Sequence, residues 1–124
     1  IDLARPTEAI VIACSDETTA LTAGTGKRSF RMPYDFTLSD VRAALVTAQT
    51  SGSVFTVDIH EGGTSILSTK LTVDNTEKSS ITAATAAVIS DADLADDAEI
   101  TIDIDQVGDG TATGLKVTLI GHRA

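Results

Sequence analysis

A few groups of residues in this 124-residue chain have types and spacing that could do chemistry. The string GTGKRS, residues 24–29, has the glycines and lysine of a phosphate-binding loop. Such a loop needs its first glycine five positions before the second, and that position is Leu21; Lys27 is followed by Arg28 where Ser or Thr should hold a magnesium ion. The segment therefore reads as a flexible loop with basic residues. Asp91, Asp93, Asp96 and Asp97 are oxygen ligands suited to calcium, but they lack the glycine turn and the closing bidentate acid at fixed offsets. Asp103, Asp105, Gly108 and Asp109 come nearer, yet Asp103 and Asp105 share one extended strand face, and Val107 stands where a ligand should be.

Catalytic material is sparse. His60 beside Glu61 and His122 near the C-terminus are the two histidines, and Cys14 is the lone cysteine. Three or four convergent ligands would be needed for zinc, and nothing around Cys14 is electropositive enough to activate a thiolate. The reading is a chain without catalytic, cofactor or metal residues, hence no enzyme. Ring stacking on sugars is poorly served too: there is no Trp, and Tyr34 with Phe36 beside Pro33 reads as a packed loop anchoring a sheet edge.

The elements that must position these residues are strands. Ile100, Ile102 and Ile104 alternate with Thr101, Asp103 and Asp105, the period-two pattern of a strand with one buried and one wet face. A Gly- and Thr-rich connection follows, and Leu115, Val117 and Leu119 resume the alternation, which predicts a terminal β-hairpin over residues 99–119. Phe55, Val57 and Ile59 alternate in the same way before Gly62-Gly63, a tight turn, with residues 64–73 as the returning strand. Residues 8–14 and 28–32 are short strands, with a loop over 15–26 between them. Residues 36–47 read as a strand bulged near Asp40, residues 81–89 as an extended edge, and residues 91–97 as an acidic loop. About eight strands with regularly spaced turns predict an all-β, antiparallel β-sandwich, jelly-roll-like, filling residues 8–124 as one domain behind a lead-in over residues 1–7.

Composition narrows the partners. Hydrophobic residues reach 42% but aromatics only 3%, so the core is aliphatic and thin enough to favour association with copies of itself. The net charge of −9 disfavours contact with nucleic acid, and no apolar run is long enough for membrane insertion as a helix. Cys14 cannot form an internal disulfide. The opening residue is Ile1 rather than methionine, as expected of a processed chain or the tail of a longer one.

The strings SDETTALTAGTGKRSFRMPYDFTLSDVRAAL, FTVDIHEGGTSILSTKLTVDN and VISDADLADDAEITIDIDQVGDGTATGLKVTLIG make the chain similar to a β-sandwich module of tailed-bacteriophage structural proteins, over about residues 8–121. That resemblance implies a virion location and a non-enzymatic structural role, as the head domain of a fibre or spike used in host adhesion. It implies a homotrimer, contacts with other virion proteins and with a host-surface receptor, and no catalytic, cofactor or metal residues. A capsid decoration protein on the phage head is the alternative within the virion. A secreted carbohydrate- or calcium-binding β-sandwich is the alternative of another class. The loops over residues 15–26, 32–36 and 108–114 are the expected contact surfaces.

Overall fold

The computed structural model describes residues 6–124, so residues 1–5 of the expected lead-in lie outside the described residues. Eleven strands form: β1 (Glu8–Ala13), β2 (Gly24–Arg31), β3 (Phe36–Ala44), β4 (Phe55–Glu61), β5 (Thr64–Ser65), β6 (Leu67–Thr69), β7 (Leu71–Val73), β8 (Val88–Ile89), β9 (Asp93–Leu94), β10 (Glu99–Gln106) and β11 (Lys116–Arg123). One 3-10 turn, Ser80–Thr82, interrupts them. The chain is the antiparallel β-sandwich that its alternating pattern predicts. One sheet has the order β1-β11-β3-β9 and the other β2-β10-β4-β5, with β7 also pairing β4 and a small β6-β8 ribbon alongside. β1 to β4 alternate between the two sheets, and β10 and β11 do so again, a jelly-roll-like strand order.

The switching corrects the expected terminal hairpin. β10 pairs β2 and β4, whereas β11 pairs β1 and β3, so residues 107–115 cross between sheets and do not fold back. Both strands still bury their apolar faces, because each faces the same core from opposite sides. Residues 64–73 are also not one returning strand. They break into β5, β6 and β7, with Leu67 and Thr69 leaving β4 to pair β8. The expected edge over residues 81–89 holds only the end of the 3-10 turn and β8.

The core is aliphatic with two rings. Phe36, Phe55, Ile59, Ile66, Ile100, Ile102, Ile104, Leu115 and Leu119 are at most 1% exposed, and each such side chain contributes about 1.5–3 kcal/mol of burial. The bulge expected near Asp40 is at Ser39, the residue skipped where Asp40 pairs Ile120 and Leu38 pairs Gly121. Gly121 belongs there because a side chain would run into the Thr37 carbonyl oxygen and the Phe36 ring.

The connections gather at two ends. Residues 14–23, 45–54, 74–79 and 107–115 share one end, tied by Leu21 N–H to Ala112 O (2.9 Å), Val46 N–H to Thr113 O (2.9 Å) and Thr76 N–H to Gln49 O (2.8 Å). Residues 32–35, 62–63 and 95–98 share the other, where β1 begins and β11 ends; Asp97 N–H donates to Met32 O there at 2.9 Å. Among the described residues no helix is long and apolar enough to cross a membrane.

Candidate functional site

The wet face of β10 meets that of β4 in a cluster of charged side chains. Asp103 of β10 stands directly opposite Asp58 of β4, and the two residues are only 7% and 3% exposed although they point away from the core. Two irregularities make this possible. Between Gly24 and Arg28, β2 carries extra residues opposite Asp103, and β10 carries Asp105 as an extra residue against β4. Such bulges bend the strand and re-aim side chains, curling this sheet around the two acids.

The acids are held by groups from three strands and a connection. Asp103 Oδ1 accepts the Gly26 N–H at 2.7 Å. Asp58 Oδ1 accepts its neighbour's Ile59 N–H (2.9 Å) and the Ser65 hydroxyl (2.7 Å). Lys70, between β6 and β7, donates to Asp105 Oδ2 at 2.5 Å and stands 3.9 Å from Asp58 Oδ2. The hydrogen bond to Asp105 is the main cause that holds the Lys70 ammonium above its ordinary pKa, with Asp58 and Asp103 adding to it. His60 lies between the two acids: Nε2 is 3.6 Å from Asp58 Oδ2, and Nδ1 is 3.2 Å from Asp103 Oδ2. The second approach misses hydrogen-bond alignment, and Nδ1 is buried without another partner.

This arrangement stores charge but lacks the order of a nucleophilic triad. Ser65 donates to Asp58, and its oxygen accepts the Leu67 N–H at 3.2 Å; His60 meets Asp58 from the other oxygen and does not activate the hydroxyl. Among the described residues no group of three or more His, Cys, Asp or Glu is placed to hold a metal ion.

The other sequence candidates go to separate places. GTGKRS lies wholly in β2 rather than in a loop, and the Gly26 N–H that could meet a phosphate is already bound by Asp103. Lys27 Nζ donates to Thr22 Oγ1 at 2.8 Å. Asp105 is taken by Lys70, while Asp109 works at the loop end. There its Oδ2 accepts from the N–H and hydroxyl groups of Thr50 and Ser51, and its Oδ1 from Thr111 (2.6–3.3 Å). These bonds, led by the Thr111 and Thr50 hydroxyls, hold the Asp109 carboxyl well below the usual carboxylate range. Asp91 Oδ1 caps the Asp93 N–H at 3.1 Å, and Asp97 takes a positive φ of 62° at the opposite end. Glu61, whose Oε2 accepts the Ala95 N–H at 2.9 Å, has its carboxyl raised by burial first and then by nearby Asp91 and Asp93. His122 Nδ1 lies 2.9 Å from the Arg123 carbonyl oxygen, far along the chain from His60. Cys14 is buried at the end of β1. Tyr34 stacks under the Arg123 guanidinium (4.1 Å to the ring centre) and its ring lies 6.3 Å from that of Phe36, as a packed anchor would.

Of the three expected contact loops, two meet: residues 15–23 and 108–114 are joined by the Ala20–Thr113 and Leu21–Ala112 pairings, with Thr47 adding a third segment. Residues 32–36 lie at the opposite end. Two depressions among the described residues are small. One of about 230 Å³ is lined by Cys14, Thr19, Lys27 and Arg28, and one of about 190 Å³ by Asp40, Ser80 and Ile81, below the ~300–1,000 Å³ of ordinary small-molecule sites.

Sequence reasoning missed Asp58, Ser65 and Lys70. The one available signal was a pair of matching triplets, Val57-Asp58-Ile59 and Ile102-Asp103-Ile104, each a short acid framed by apolar β-branched residues in a strand. Comparison of the chain with protein-family models, with curated proteins and with solved structures gives no match.

Proposed function

We propose that this chain is a non-enzymatic structural module of a tailed-bacteriophage virion, the head domain of a fibre or spike that works by contact at its loops. The observation that carries the proposal is the grouping of residues 14–23, 45–54 and 107–115 into one hydrogen-bonded end surface, opposite the end where β1 begins and β11 ends. A rigid sandwich presenting joined loops at one end is built to bind surfaces. The order Ser65–Asp58–His60, in which the hydroxyl donates to the acid rather than to the imidazole, supports a role without bond-making chemistry.

Antibody raised against the chain tests this on intact particles. Labelling of tail ends with blocked adsorption to host cells is the expected result. Uniform labelling of the head with adsorption intact would replace the fibre reading by that of a capsid decoration protein. Absence of label on intact particles would reject both virion readings and leave a secreted binding module.

A further inference from the structure

Among the described residues, β1 is an edge strand without the usual protection. Cys14 N–H donates to Leu115 O at 2.8 Å, and bonded pairs alternate along an antiparallel ladder. Glu8, Ile10 and Ile12 therefore turn their backbone groups to β11, while Ala9, Val11 and Ala13 turn theirs to the free edge. Their side chains are exposed as well, Val11 to 61%. Natural edges are blunted by charge, proline or bulges. The edge of the other sheet, β2, has Lys27, Arg28 and Arg31 and an irregular register. β1 has none of these between Ala9 and Ala13, and it pairs β11 without a break.

We propose that β1 is an interface for a second copy of this chain, the two β1 strands pairing antiparallel about a two-fold axis at Val11. This register makes hydrogen-bonded pairs of Val11 with the other copy's Val11 and of Ala9 with the other copy's Ala13. It sets Ile10 beside Ile12 on the core side, joining two four-stranded sheets into one of eight strands. This register centres the ladder on the uncharged stretch Ala9–Ala13 and keeps Glu8, whose carboxylate accepts from the Tyr34 hydroxyl and the Arg123 guanidinium of its own chain, at the two ends. Shifting the axis to Ile10 would bring Glu8 inward against the other copy's Ile12. Pro6, which lacks an N–H, ends the ladder on one side. The interface holds or fails independently of the virion reading.

Light scattering of the 124-residue chain between about 1 μM and about 1 mM should show the mass rising from 12.8 kDa towards twice that value, as a small interface gives weak association. Val11→Lys should stay at the monomer mass with an unchanged melting curve, and Val88→Lys, at an exposed valine outside β1, should still dimerise. The double variant Val11→Cys/Cys14→Ser reads the register even if Val11→Lys folds badly. Its two thiols would sit on residues about 5.5 Å apart at Cα, within disulfide range, and should cross-link under mild oxidation. Ala9→Cys/Cys14→Ser should not cross-link to itself. A monomer at every concentration, a trimer, a dimer that Val11→Lys leaves intact, or no Val11→Cys cross-link would each overturn the proposal.

Discussion

Asp58 and Asp103 face each other across β4 and β10, both buried, on the side of the sheet that points away from the core. Like charges directly opposite on neighbouring strands repel, so the pair persists only through the groups around it. Those groups are the Gly26 N–H, the Ser65 hydroxyl, His60 and the Lys70 ammonium.

Lys70→Met should therefore destabilise the fold by about 1–2 kcal/mol at neutral pH. That is less than the loss of a fully buried partner, because water screens the half-exposed ammonium. The Lys70 pKa is raised by folding, chiefly by its bond to Asp105. Its contribution is complete below the ordinary lysine value near 10.4 and is lost as pH rises through the higher folded value. Urea titrations should show a constant gap from about pH 6 to 9 that closes above about pH 10.5. Equal stability of variant and parent at pH 7 would mean the acids are balanced without Lys70.

Asp109 joins residues 107–115 to residues 45–54 through Thr50 and Ser51. Its folded pKa is depressed, so this contribution is present above the unfolded value near 3.9 and fades as pH falls below it. Asp109→Asn should lower the melting temperature at pH 7 and raise amide exchange at Thr50, Ser51 and Thr111. The difference from the parent should shrink below about pH 4. A gap that widens in acid would contradict this role.

Gly108 has φ 57°, and a Cβ there would lie 2.5–2.6 Å from the Gln49 amide atoms and the Ser53 carbonyl oxygen. Gln49 is 1% exposed and cannot move away without losing its bonds to Ser53 and Asn75. Gly108→Ala should cost about 1–3 kcal/mol in chemical denaturation and loosen the loop end first. A neutral substitution would show that these connections are not rigidly packed.

Burial pushes the Cys14 thiol up to about 11, against a smaller opposing effect of Arg28. At pH 8 only roughly one thiol in a thousand is then ionised. Ellman's reagent should react slowly with the folded chain and quickly in denaturant. Rapid reaction of the folded protein would place Cys14 in a more open setting.

Much of the fold is legible in the residues. The alternation of Ile100, Ile102 and Ile104, and of Phe55, Val57 and Ile59, requires strands with one buried face, because side chains two apart share a side of the pleat. Gly62-Gly63 requires the turn its positive φ values supply, 58° and 87°. The phase change at Asp40 marks the bulge at Ser39. Sheet membership was not legible. Alternation says which face of β10 and β11 is apolar, and that face is buried equally well in a hairpin or in two opposed sheets. Only the closing of β11 between β1 and β3, and of β10 between β2 and β4, decides it. The same holds for the candidate site. The pattern places Asp58 and Asp103 on the outward face, but their burial comes from bulges and side chains of strands remote in sequence. Local residue order carries the pleat; the tertiary structure alone supplies the neighbours that desolvate a charge.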